Sequence, residues 1–268
     1  MGLTQSAHTR NAGNTGNTGN AESFVSRPPL SGQDGNAALA WAERLDGYRD
    51  KIQCNEPNGY VRRKDHYTAS LWAIERTVYP SKEWESGQIV WMDPTADGGL
   101  PHTRPPNIIC LPINISDNSL KSTVEHEQIH IHQRQNTEFW IQNLESMWQF
   151  RPWSGSLPSE LETRRRLNPD LLPFPLFVWR NEWVPVMLFR SLRPESLQDA
   201  ELTWFRVPSR TVHRDPPPGW KEFFGDGLWN EHPMEIAAYL FSQTDKNPPA
   251  KKALEPAIAR LKASITSK

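Results

Sequence analysis

Leu39, Ala42, Leu45, Tyr48 and Ile52 recur at three- and four-residue intervals in AALAWAERLDGYRDKI. That spacing lines one face of a helix and predicts an amphipathic helix over 37–53. DHYTASLWAIERTVY reads as a second helix, ended by Pro80. The texture then changes. GQIVWMD (87–93) and NIICLPINI (107–115) are short, β-branched and bounded by Gly, Asp and Pro, so they read as strands. Pro112 has no backbone donor, which places the second of them at a sheet edge or on a bulge. SDNSLKSTVEHEQIHIHQRQN follows, with three good N-cap types, Asp117, Asn118 and Ser119. It predicts a helix over about 119–135, then a second helical piece over 138–149. PSELETRRRL is a short helix entered through Pro158.

FPLFVW and WVPVMLFR form a strand pair around RNE, and LTWFRV (202–207) is a further strand. TVHRDPPPGW reads as a loop. HPMEIAAYLFSQ (232–243) is a helix with His232 before it and Pro233 in its first turn. PAKKALEPAIARLKASI closes the chain as a helix interrupted at Pro256. Mixed in this way, the elements indicate an α+β fold, with residues 37–268 as one domain. Residues 1–36 are Asn, Gly, Thr and Ser with an NTGNTGN repeat. They have too little apolar surface to offset the entropy of ordering and read as a disordered tail.

Charge narrows the partners. Lys+Arg total 30 and Asp+Glu 31, so nothing electrostatic points to nucleic acid. The run Arg164–Arg166 reads as a solvated helix face. Twelve Trp, spread along the chain rather than clustered, point to a core built on large rings. Two Cys, Cys54 and Cys110, make no disulfide framework. No apolar leader and no run of about 18 apolar residues occurs, so the expectation is a cytoplasmic chain with no transmembrane segment. Met1-Gly2-Leu3-Thr4-Gln5-Ser6 fits the N-myristoylation pattern, and a single acyl chain there would give weak membrane association.

The chemistry gathers in TVEHEQIHIHQR, Thr123–Arg134. On a helix, positions four apart lie about 40° apart in azimuth and about 6 Å in height, so His126 and His130 point the same way from consecutive turns. Two imidazoles so placed can reach one zinc ion at about 2.0–2.1 Å. Glu127 lies about 100° round from His126, placed to take a proton from water on the metal. Leu120, Val124 and Ile131 form an apolar stripe beside Glu127, which sets the metal face at the edge of a core. The alternative is a solvated face bearing His126, His130 and Arg134.

A catalytic zinc site takes a third protein ligand and keeps one position open. A third His after an intervening Gly is absent here: Gln133 and Asn136 stand at those positions. Glu235 in NEHPMEIAAYLF is the best candidate, from a second helix whose Ala237 and Ala238 permit close packing. Glu235 has a second reading, since it stands where a capping-box glutamate reaches back to the N-cap. Glu231 and His232 are reserve ligands, and Asp170 in LNPD is a weaker one.

With these residues in place, TVEHEQIHIH resembles the active-site helix of the zincin metallopeptidases, and NEHPMEIAAY as the second part is similar to the gluzincin branch. The resemblance implies a zincin-like fold, a small mixed sheet packed on the active-site helix with further helices on either side in sequence. It implies His126, His130 and Glu235 as Zn2+ ligands and Glu127 as general base, and a peptide or protein as substrate. It also implies NIICLPINI as the edge strand along which an extended peptide would lie. The chain departs from the pattern in three ways. His132 stands at a usually apolar position, the two motifs are separated by roughly 105 residues, and Tyr239 stands where an acidic residue often follows the third ligand. Tyr239 is either a packed helix residue or a phenol facing the site as oxyanion donor, a role His232 could share. The functional expectation is a zinc metallopeptidase. The rivals are a non-catalytic zinc-stapled scaffold and a metal-free module gripping a polymer with exposed Trp.

Overall fold

The computed structural model describes residues 32–54, 57, 59, 67–70, 76, 78, 80–226, 228, 230–243 and 246–266. Two helices replace the one expected over 37–53: α1 (Gly32–Asp46) and α2 (Tyr48–Cys54). Gly47 divides them at φ +57°, a backbone conformation that any side chain would strain. Because α1 begins at Gly32, residues 32–36 belong to a helix and not to the expected tail. Residues 1–31, with the Gly2 signal, lie outside the described residues. So does most of the helix expected over 65–79, and its described residues, Tyr67–Ser70, Arg76 and Val78, are not helical: Ala69 bridges Met92, and the Ser70 amide donates to the Trp91 carbonyl at 2.7 Å.

The first sheet holds β1 (Gln88–Met92), β2 (His102–Arg104) and β3 (Ile108–Pro112) in the order β1-β3-β2, with β1 parallel and β2 antiparallel to β3. This corrects the expectation for NIICLPINI, whose strand β3 is central and has both edges paired. Pro112 is tolerated there because it is the last residue of the strand, and the next amide, Ile113, donates to the Met92 carbonyl at 3.1 Å. Arg104 on β2 is fully buried. Its guanidinium reaches both carboxylate oxygens of Asp46 at 2.7 Å and Glu43 at 2.8 Å, which ties β2 to α1.

Helix α3 (Asp117–Gln135) is capped by Ser116, one residue before the N-cap types read from the sequence. Leu120, Val124 and Ile131 pack with Ile109 and Leu111 of the first sheet, as the stripe predicted. Ile129 faces a second, larger cluster on the other side. Every residue from Glu127 to Gln133 is therefore buried, and a solvated face is ruled out for this stretch. Its polar members need partners. Gln128 accepts from the Ser81 amide at 2.8 Å and donates back to the Ser81 carbonyl at 3.1 Å. His132 accepts from the Trp140 indole at Nδ1, 3.0 Å away, and faces the Asn136 amide at 3.1 Å through Nε2. Burial pushes its pKa down to about 4, so the ring is neutral in the core.

A five-stranded antiparallel meander follows: β4 (Phe150–Pro152), β5 (Phe177–Trp179), β6 (Trp183–Phe189), β7 (Ala200–Arg206) and β8 (Thr211–His213). The last of these lies where a loop was expected. Period-two alternation buries both faces. Phe177, Trp179, Leu202 and Trp204 join the larger cluster, with α4 (Thr137–Trp148), α6 (Trp220–Phe224), α7 (Pro233–Ser242) and α8 (Pro249–Thr266). Val178, Val184, Val186, Leu188 and Phe205 face the other way, towards Leu161 of α5 (Ser159–Arg164). Helix α8 runs on through Pro256. Trp84, Trp140, Trp148, Trp179, Trp204 and Trp220 all lie in the larger cluster, and Trp41 is the exposed Trp among the described residues. The rings are core. Cys110 is a buried free thiol, and no helix among the described residues is long and apolar enough to cross a membrane.

Ile129 is the contact of α3 with the larger cluster, so Ile129→Ala is expected to cost about 2–5 kcal/mol. The check is the urea midpoint, read with the slope of the transition unchanged.

Candidate metal centre

Helices α3 and α7 converge on one point. His232 caps α7, its Nδ1 accepting from the Met234 amide at 3.2 Å, and Pro233 opens the first turn. Ala237 and Ala238, both fully buried, carry no bulk to hold α3 away. The His126 and His130 Nε2 atoms lie 3.0 Å apart. Glu235 Oε2 is 3.4 Å from His126 Nε2, and Glu235 Oε1 is 3.4 Å from His130 Nε2. Zinc held tetrahedrally at about 2.0–2.1 Å would separate its donors by about 3.3 Å. The three observed separations are of that size, the two to Glu235 being made by different carboxylate oxygens, so the donor set can gather round such an ion. Glu235 makes no reciprocal contact with the His232 cap, and the ligand geometry prevails over the capping box.

The residues behind this triad orient it. Gln133 donates through Nε2 to the Met234 carbonyl at 2.9 Å, which turns its Oε1 to His130 Nδ1 at 2.8 Å. His130 must then carry a proton on Nδ1, leaving Nε2 to face the centre. Asn168 donates through Nδ2 to Glu235 Oε1 at 2.7 Å, and its Oδ1 accepts from the Asp170 amide at 3.0 Å. Neither Gln133 nor Asn168 was singled out from sequence as a supporting residue. Gln133 stands three residues after a ligand, the spacing that puts two helical side chains in contact, and that spacing was the signal available.

The electrostatics are those of a cation site. Burial alone would lower the pKa of His130, but the carboxylates of Glu235 and Asp170 outweigh it and carry it up to about 10. Burial acts on Glu235 in the raising direction, and His130 and His126 hold it well below the usual carboxylate range. A proton on His130 Nε2 and a metal ion therefore compete for one place. Glu127 is 2% exposed, and its Oε2 has no hydrogen-bond partner. Burial first, then the charge of Asp170, raises its pKa well above the usual carboxylate value. Glu127, His130 and Asp170 bring one donor atom each within 4.8 Å of one another. One turn on, Arg134 buries all three guanidinium nitrogens without a hydrogen bond, within the influence of Asp170 and Glu127.

The triad opens on a cavity of about 310 Å³, lined among others by His126, Glu127, Asn168, Asp170 and Glu235. Three candidates from the sequence lie elsewhere. Tyr239 sits one turn beyond Glu235, outside the cavity lining, where its ring packs on the larger cluster and its hydroxyl pairs with Lys246. It is not placed to donate to an oxyanion. His232 is buried with both ring nitrogens engaged, Nδ1 by Met234 and Nε2 by the Pro175 carbonyl at 3.0 Å. Glu231 pairs with Arg166 at 3.2 Å. Asp170 does lie beside the centre, held by the Thr103 amide at 2.7 Å and the Thr103 hydroxyl.

Replacing Gln133 by Leu removes the acceptor for His130 Nδ1 and is expected to weaken zinc binding by about 10–100-fold. Gln133→Glu, which keeps an acceptor, should retain most of the affinity. Competition against a chromophoric chelator measures both.

No family model, no curated protein and no solved structure matches this chain. What the centre can do follows from its own donors and their surroundings.

Proposed function

We propose that this chain is a zinc-dependent metallopeptidase of zincin-like, gluzincin type, acting on a peptide or protein. The observation that carries the reading is one convergence: His126, His130 and Glu235 with facing donor atoms 3.0–3.4 Å apart, and the unpartnered Glu127 Oε2 beside them on an open cavity. A mixed sheet packed on α3 is the setting such a centre has in that fold, which supports the same reading.

Zinc there would lower the pKa of a water molecule and polarise the carbonyl to be attacked. Glu127 takes the proton of the attacking water on Oε2 and delivers it to the departing amine. Its raised proton affinity suits both transfers, since a carboxylate at its ordinary pKa holds a proton too weakly near neutral pH. Gln133 and Asn168 keep the His130 ring and the Glu235 carboxylate in place, so little reorganisation is left for the reaction itself.

A scaffold in which zinc only joins α3 to α7 would close the ion with a fourth protein ligand. Here His126 and Glu235 line a cavity, and the side chain of His126 keeps 21% exposure. Most of the described Trp rings are buried, with Trp41 exposed, which gives the polymer-gripping module little support.

The test is zinc stoichiometry by elemental analysis alongside turnover of a fluorescence-quenched peptide library. The wild type should hold one zinc per chain, and Glu235→Ala should lose most of it. Glu127→Gln should keep the metal and lose turnover by at least about 10²-fold. Activity surviving in Glu127→Gln would refute the mechanism. Absence of zinc from the wild type after metal-replete purification would refute the centre.

A further inference from the structure

Beside the metal centre, β2 offers its outer edge, since β3 covers the inner one. Thr103 pairs with Ile109, and its amide points away from β3 into the Asp170 carboxylate at 2.7 Å. In an antiparallel pair the residues two before and two after point the same way. Those are Pro101 and Pro105, which have no N–H. The outer edge of β2 therefore presents carbonyls and no free donor, and an incoming strand cannot exchange hydrogen bonds with it in both directions.

Two charged or titratable donors beside this edge are also engaged. The Arg166 guanidinium is engaged by Glu231 at 3.2 Å, and His102 holds the Leu100 carbonyl through Nδ1 at 3.1 Å. Acceptors remain. Asp170 is 4% exposed, and Thr103 binds only its Oδ1, leaving Oδ2 without a hydrogen bond among the described residues. Glu127 Oε2, buried and unpartnered, lies beside it. A buried carboxylate oxygen with no donor is costly to maintain unless a ligand brings one.

We propose that the cavity receives a protonated amine, seated on Asp170 next to the bond to be cleaved, rather than an extended peptide zipped onto β2. This rests on the hydrolytic reading of the centre and names its substrate class. The amine comes either from the start of a peptide chain or from a lysine side chain. Both bring N–H donors and a positive charge to Asp170 Oδ2, and a charge-assisted contact of that kind is about twice as strong as a neutral one.

Four zinc-seeking probes test this by calorimetry on the zinc-loaded wild type: alanine hydroxamate, N-acetylalanine hydroxamate, Nα-acetyllysine hydroxamate, and the hydroxamate of acetylated trialanine. At least one of the two amine-bearing probes should bind ten or more times tighter than N-acetylalanine hydroxamate. Which of them does so identifies the source of the amine. Lengthening the neutral probe to trialanine should add little. In Asp170→Asn, whose side-chain oxygen can still accept from Thr103, the amine advantage should vanish while zinc content stays at one. The wild-type comparison stands whether or not that variant folds. Equal binding of amine-bearing and acetylated probes, or affinity rising with neutral chain length, would overturn the inference and leave the metal centre intact. Failure of every hydroxamate to bind would overturn the open zinc site together with it.

Discussion

From Glu127 to Gln133 α3 is buried, held between the first sheet, the large aromatic cluster and α7. A polar residue there must find a partner or leave a buried group unsatisfied, at about 1–3 kcal/mol each. Gln128 finds the backbone at Ser81, His132 finds Trp140, and Gln133 finds both His130 and Met234. Glu127 Oε2 finds none. The Arg134 guanidinium, two turns on, finds none either, and of these groups Glu127 is the one that lines the cavity. Packing of Ile129 and Ile131 on opposite sides fixes the rotation of α3, and the small Ala237 and Ala238 let α7 bring Glu235 within 3.4 Å of both imidazoles.

The short turn at Asn168–Asp170 joins parts that are distant in the chain. Asn168 holds Glu235 of α7, Asp170 holds Thr103 of β2, and the Asn168 side chain links the two by accepting the Asp170 amide. One Asx-type turn thereby couples Glu235, a sheet edge and the surroundings of Glu127. A disturbance in this turn reaches the centre through hydrogen bonds alone, with no helix having to move.

Where expectation and structure part, the cause lies in contacts beyond the local pattern. β3 was placed at an edge because Pro112 lacks a donor, yet β2 pairs with it, and β2 is a three-residue strand between prolines, too short for period-two alternation to reveal. Tyr239 was set near the site by its spacing from Glu235, yet the segment before α8 brings Lys246 to its hydroxyl and the core packs on its ring. The helix expected over 37–53 breaks at Gly47, which the regular apolar spacing on either side concealed.

Local physics was enough for much of the centre. The four-residue spacing of His126 and His130 fixes their common direction on any helix, and Pro233 with His232 marks where α7 begins. Short β-branched runs announce β1, β3, β5, β6 and β7, because side-chain alternation is a property of each strand alone. What only the tertiary structure decided depends on elements more than 60 residues apart. It brought Glu235 to the histidines, set Asp170 against Thr103, and buried α3 from Glu127 to Gln133 despite its polar sequence. Leu120, Val124 and Ile131 marked one apolar side, but from Glu127 to Gln133 the helix has no solvent side, so its polar residues there record particular partners and add no amphipathic signal.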